Sequence, residues 1–131
     1  MSKHSLISVI IPTFNNCPIL RKVLQSLLLQ QKVGKDFEVI VLDDGSEDDT
    51  GRMVEEIAAG SNVPIRYEWQ RNRGVSAARN RALTLAEGKY SLLLGDDIIP
   101  APDLIWRHLS THERYHHGRN VVIGRVTWPD E

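Results

Sequence analysis

The sequence predicts an α/β fold, a mostly parallel β-sheet with helices on both faces. Two observations carry that expectation. Residues 6–12 (LISVIIP) and 37–42 (FEVIVL) are short, β-branched apolar runs without polar alternation, the pattern of strands buried on both faces. Between and after them, strand candidates alternate with helix candidates along the whole chain, the order that builds a parallel sheet through right-handed crossovers.

Taken in order, residues 6–12 are the first strand. Pro18 fits the first turn of a helix, and Ile19, Leu20, Val23, Leu24, Leu27 and Leu28 form one apolar stripe at helical period, closed by Gly34. The second strand, 37–42, runs directly into Asp43-Asp44-Gly45-Ser46. A second helix is expected over 48–59, with Met53, Val54, Ile57 and Ala58 inward and Gly60 as its stop. Residues 65–69 alternate and read as a third strand nearer the sheet edge. A polar loop at 71–74 leads into an alanine-rich helix ending at Gly88. Residues 90–94 are a fourth strand, again ending in acid. A further helix-like segment is expected from near Pro102 to about His117, and 121–126 is a final strand candidate.

Composition narrows the class. With 131 residues the chain has the size of one domain, taken here as 1–131, and 41% hydrophobic with 25% charged residues is an ordinary globular balance. A net charge of −1 gives no reason to expect nucleic acid or a membrane surface as partner. The lone Cys17 cannot form an internal disulfide, which suits a reducing compartment. There is no signal-peptide pattern and no apolar run long enough to span a bilayer. The expectation is a soluble, cytoplasmic protein.

In an open parallel sheet, ligands bind outside the carboxyl ends of the strands. Three predicted strands end in polar segments that should share one rim: Pro12-Thr13-Phe14-Asn15, Asp43-Asp44-Gly45-Ser46 and Gly95-Asp96-Asp97. The loop and helix start carrying Asn72, Gly74, Arg79 and Asn80 add to it. An aromatic ring, carboxylates and an arginine on one rim suggest a ligand with a flat ring and phosphates. Adjacent carboxylates disfavour joint ionisation, and a hard divalent cation, Mg²⁺ or Mn²⁺, relieves the conflict. Asp97 and Asp96 fit that role, and the ion would help a diphosphate to leave. Each feature alone has a plainer reading. An acidic pair after a strand is also good turn and capping chemistry. Phe14 alone reads as core, and Arg79 as a surface helix residue.

His108, His112 and His116 lie on one helical face with His117 beside them. No carboxylate orienter accompanies them, so they read as a solvated face rather than a zinc site. The glycine fingerprints of dinucleotide-binding and P-loop proteins are absent.

Four ordered blocks carry a family resemblance: ISVIIPTFN ending at Asn15, FEVIVLDDGSEDDT (37–50), NRGVSAARNRAL (72–83) and YSLLLGDDIIPAPDLI (90–105). Together they resemble the family 2 inverting glycosyltransferases of GT-A fold. The resemblance implies that Pro12 and Phe14 line the nucleoside pocket and that Asp44 accepts a hydrogen bond from the base or ribose. It implies that Arg79 helps bind the nucleotide. Asp96 and Asp97 would form the nucleotide- and metal-binding motif, with Asp97 favoured as the direct ligand of a bridging Mn²⁺ or Mg²⁺. The expected donor is a nucleoside-diphosphate sugar, a UDP-sugar by the family's habit, and the acceptor, whether sugar, lipid or protein, is not named by the sequence.

Two departures qualify the resemblance. Many members have Asp-x-Asp where this chain has Gly95-Asp96-Asp97, which leaves open whether one or two carboxylates touch the metal. The downstream acid that acts as general base on the acceptor has no counterpart here, so the chain resembles the donor-binding portion of a longer enzyme. The alternative reading is a catalytically incomplete nucleotide-binding module. A receiver-like or phosphatase-like domain would also use an acidic Mg²⁺ pocket, but it has no place for the Asn-Arg-Gly…Ala-Arg-Asn block.

Overall fold

The computed structural model describes residues 6–33, 36–116 and 119–129. Its elements follow the chain as β1 (Ile7–Thr13), α1 (Cys17–Leu28), β2 (Phe37–Asp43), α2 (Thr50–Ala59), β3 (Ile65–Trp69), α3 (Val75–Leu85), β4 (Tyr90–Leu93) and α4 (Leu104–Arg114). The four strands are all parallel, in the order β3-β2-β1-β4. The predicted α/β architecture is therefore present, and β3 lies at an edge as its alternating pattern implied.

The unalternated runs occupy the centre of the sheet. Every residue of β1 is buried, and β2 is buried except for Glu38. Ile7, Val9, Ile11, Val39 and Val41 pack in one core with α1, α2 and α4; Ile10, Ile40 and Leu42 pack in a second with Ala78 and Ala82 of α3. Each Ile or Leu buried in this way contributes about 1.5–3 kcal/mol. Two alanines one turn apart let α3 lie close on β1 and β2, which brings its N-terminus to the strand ends.

α1 buries Leu20, Val23, Leu24 and Leu27 of the predicted stripe, while Ile19 at its edge is exposed and Leu28 partly buried, and it begins with Pro18 in its first turn. Its N-cap, Asn16, makes no side-chain cap bond. Instead the Asp48 carboxylate accepts from the Cys17 N–H at 3.3 Å and from Thr50 N–H at 3.1 Å, and it also bonds the Thr50 hydroxyl. One carboxylate thus serves the N-termini of α1 and α2, where the helix dipoles favour negative charge. Burial pushes Asp48 upward, but the bonds from Thr50 and Cys17 hold its carboxyl below the usual range.

Several expectations need correction. Residues 121–126 do not form a strand: no described strand pairs with them, and Val121 and Ile123 are almost fully exposed. β-propensity without a neighbouring strand does not make a sheet. Gly88 does not end α3, which stops at Leu85. A Cβ at Gly88 would stand 2.6 Å from the Ser8 N, so glycine is there to let the chain cross the start of β1. The last helix spans Leu104–Arg114, two residues inside the expected start near Pro102, and β4 is one residue shorter than expected. Gly34 and His117 lie outside the described residues.

The histidine face is also not simply solvated. His108 is buried, with Ile105 and Leu109, on the inner side of α4. His112 stacks on Tyr90, with ring centroids 4.2 Å apart, and His116 pairs with the Glu113 carbonyl. Cys17, the sole cysteine, is free and is buried.

Candidate functional site at the strand ends

Because the strands are parallel, Thr13, Asp43, Trp69 and Leu93 all end on one side of the sheet. Chain order runs outward from β1 through β2 to β3, then returns to place β4 on the other side of β1. The crevice between the ends of β1 and β4 is the topological switch point, where this class of sheet binds ligands. The Thr13 hydroxyl donates to the Asp96 Oδ2 across that crevice at 2.9 Å.

The turn after β4 is shaped around its carboxylates. Asp96 is half-buried and Asp97 exposed. A Cβ at Gly95 would lie 2.9 Å from Asp97 Oδ1 and 3.2 Å from Ile98 Cγ1. Glycine therefore leaves the space into which Asp97 folds back, a physical reason for Gly-Asp-Asp in place of Asp-x-Asp. Asp96 keeps its Oδ1 free of the Thr13 bond. Two hard carboxylates in a partly exposed turn suit Mg²⁺ or Mn²⁺, which keep water and phosphate in their remaining positions. Among the described residues, no three of His, Cys, Asp and Glu converge on one metal position, so protein ligands alone would not complete the shell.

The β1 loop is stitched to the β2 loop. Asn15 takes a positive φ of 47°, its N–H donates to the Ser46 Oγ at 2.8 Å, and its Oδ1 accepts from the Glu47 N–H at 2.9 Å. This holds the preceding Phe14 at the rim with its side chain 48% exposed, so it is not a core residue. Pro12 is buried within β1, opposite Leu42 in register, one residue short of the rim.

Asp43 and Asp44 divide their work. Asp43 accepts from Ser46 N–H at 2.8 Å and from the Tyr67 hydroxyl at 2.5 Å. Burial, then the bond to Asp43 and its charge, push the Tyr67 phenol well up, so it stays a donor. Asp44 accepts from Gln70 Nε2 at 2.8 Å, Arg73 N–H at 2.8 Å and Gly74 N–H at 2.9 Å. Burial works against its charge, but these three bonds outweigh it and hold the carboxyl below the usual range. Asp44 thereby pins the loop that starts α3. Gly74, at φ 96°, is the N-cap of that helix.

Arg79 is exposed in the second turn of α3 and makes no ion pair or side-chain hydrogen bond among the described residues. Its neighbour in sequence, Arg81, is spent on the Trp69 carbonyl at 3.2 Å and Glu68 at 3.4 Å. Sequence reasoning placed Phe14, Asp44, Asp96 and Asp97 on the rim, and the fold brings their loops together there. It placed Thr13 on the rim without its bond to Asp96 and missed Gln70, whose only signal was its place just beyond the end of a strand.

Comparison with known proteins decides the family. Glycosyl transferase family 2 matches residues 8–130. The chain belongs to glycosyl transferase family 2. It is 38% identical over 122 residues to the uncharacterized glycosyltransferase YfnE of Bacillus subtilis (strain 168), covering 92% of this chain and 30% of YfnE. The chain thus spans under a third of the length of that relative. Among solved structures, the mannosyltransferase PcManGT from Pyrobaculum calidifontis, in complex with GDP-Man and Mn²⁺, superposes with a TM-score of 0.77 at 27% identity. That match covers 82% of this chain and 32% of PcManGT. S. aureus TarS in complex with UDP-GlcNAc gives 0.76 at 27% identity, covering 89% of this chain and 37% of the TarS chain. The glycosyltransferase sheet seen here is the GT-A fold of those neighbours. No helix among the described residues is long and apolar enough to cross a membrane.

Proposed function

We propose that this family 2 domain is the donor side of a glycosyltransferase that moves a sugar from a nucleoside-diphosphate sugar to an acceptor. The observation that carries the proposal is the Thr13–Asp96 contact, which sets the acidic turn against the β1 loop at the switch point. The diphosphate would lie at that crevice, with Asp97 and Asp96 as the carboxylates that would hold Mn²⁺ or Mg²⁺. A divalent ion so held neutralises charge on the departing diphosphate.

The remaining work falls to the chain's own side chains. Phe14 offers a half-exposed ring held from below by the Asn15 stitches, suited to lie against a base. Asp44, ionised and acceptor-only, can take a hydrogen bond from the base or ribose. Arg79 has a free guanidinium on the helix that follows the pinned loop, and Pro12 backs the Thr13-Phe14 corner. PcManGT with GDP-Man and TarS with UDP-GlcNAc support a nucleotide-sugar donor.

Inversion at the sugar requires a base on the acceptor hydroxyl, opposite the leaving group. We assign that base and the acceptor site to residues beyond this chain, and read 1–131 as one donor-binding domain of a longer enzyme. The test is calorimetric titration of UDP, GDP, CDP and dTDP, with and without Mn²⁺, into the wild type and Asp97→Ala. Metal-supported binding that Asp97→Ala removes is the expected result. Absence of binding by all four, or binding indifferent to both metal and Asp97, sinks the proposal.

A further inference from the structure

Asp44 reaches its ligand with most of its capacity already used. A carboxylate has about four acceptor positions, two on each oxygen. Oδ1 receives two donors, Gln70 Nε2 and Arg73 N–H, both at 2.8 Å, while Oδ2 receives one, Gly74 N–H at 2.9 Å. One position remains, on Oδ2. The carboxylate cannot swing to free another. It is buried, its backbone N–H is tied to the Thr13 carbonyl, and the 70–74 loop presses on the strand end. A Cβ at neighbouring Gly45 would meet Asn72 N at 2.9 Å.

Two of the three donors are backbone groups that no side-chain change removes. Gln70 is the exception. It is buried, with its backbone N–H bonded to the Asp43 carbonyl, so its amide is fixed against Asp44.

We propose that Gln70 is a positioning residue that sets base preference, by filling Asp44 Oδ1 so that the base meets a single acceptor. The inference rests on the reading that Asp44 meets the base. Uracil and thymine each present one ring N–H flanked by carbonyl oxygens, which one acceptor satisfies. Guanine presents two adjacent donors, a ring N–H and an amino group, which match a carboxylate with both oxygens open. At this site one of guanine's donors is left unpaired. The donor sugar is therefore carried on a uracil or thymine nucleotide in preference to guanine.

The experiment compares UDP, dTDP and GDP in the 131-residue chain with Mn²⁺, for wild type, Gln70→Met, Gln70→His and Asp44→Ala. Wild type is expected to bind UDP and dTDP about tenfold or more tighter than GDP, the scale of one unpaired buried donor. Gln70→Met keeps the side chain's length and removes the donor; the gap should shrink to about threefold or less through a gain for GDP. Gln70→His keeps an N–H at similar reach and should keep the gap. Parity of UDP and GDP in the wild type overturns the proposal, and needs no variant to fold. So does an unchanged gap in a folded Gln70→Met. If Asp44→Ala leaves the wild-type ratio unchanged, the contact between Asp44 and the base fails and this inference fails with it. If Asp44→Ala shifts the ratio and Gln70→Met does not, only the role of Gln70 fails.

Discussion

Thr13 at the end of β1 and Asp96 after β4 are 83 residues apart in sequence, and a 2.9 Å hydrogen bond joins them across the switch point. The hydroxyl is the donor, so it orients one carboxylate oxygen and leaves the other open to the crevice. Thr13→Val keeps the shape and removes the donor. Stability should fall by about 1 kcal/mol, and Mn²⁺-supported UDP affinity by about fivefold, the scale of one net hydrogen bond. Denaturant unfolding and calorimetry check both, and an unaltered Mn²⁺ dependence would count against the role given to Asp96.

Gly95 and Gly45 should respond differently to alanine. Gly95 has no left-handed backbone, and its new Cβ would meet a movable carboxylate, Asp97 Oδ1, at 2.9 Å. Gly95→Ala should fold normally but displace Asp97 and weaken metal-dependent nucleotide binding. Gly45 sits at φ 93°, and its Cβ would strike the Asn72 backbone. Gly45→Ala should lose about 1 kcal/mol or more of stability from backbone strain alone. Melting temperatures of the two variants, read beside their Mn²⁺ titrations, separate the effects.

Phe14 is half exposed, so Phe14→Ala should leave the melting temperature nearly unchanged. Loss of a stacking surface should cost every nucleoside diphosphate about 1–3 kcal/mol, with little change in preference among bases. Asp44→Ala should do the reverse, altering preference. A Phe14→Ala variant that binds all four nucleotides as the wild type does would remove the ring from the site.

Stability should decline on acidification in two windows. Burial, then the neighbouring His112, depress the His108 imidazole below its ordinary value. Its folded pKa lies below the unfolded one, so the folded state is favoured above about pH 6.5 and loses stability as pH falls below that. Asp44 is likewise depressed, and its contribution is present above about pH 4 and lost as pH falls through the folded value. His108→Leu should flatten the first window and leave the second. Unfolding free energies between pH 7 and 3 check this, and an unchanged upper window would exclude His108 as its cause.

Much of the fold was legible because the sheet centre is written as uninterrupted apolar runs, and a parallel sheet forces its strand ends together. That was enough to gather Phe14, Asp44 and Asp96-Asp97 on one rim. The 121–126 segment misled because a strand requires a partner, and local propensity carries no information about one. His108 misled because three histidines at helical spacing share a face, while burial also depends on what the face meets. The bonds from Thr13 and Gln70 could not be read, since a rim position does not reveal where a hydroxyl or amide points.

Asn15 with Ser46 and Glu47, Asp48 with Cys17, and Asp44 with Gln70, Arg73 and Gly74 fasten the first three loops into a single body. Among the described residues, only the Thr13–Asp96 side-chain bond ties the acidic turn to that body. On the proposed reading, the loops that would meet a base are thus ordered before binding, whereas the turn that would meet phosphate is held by that one side-chain bond and by Leu94 and Ile98 at its ends. Nucleotide recognition, so read, would start on a preformed template at the first three loops and finish at the Gly95–Asp97 turn.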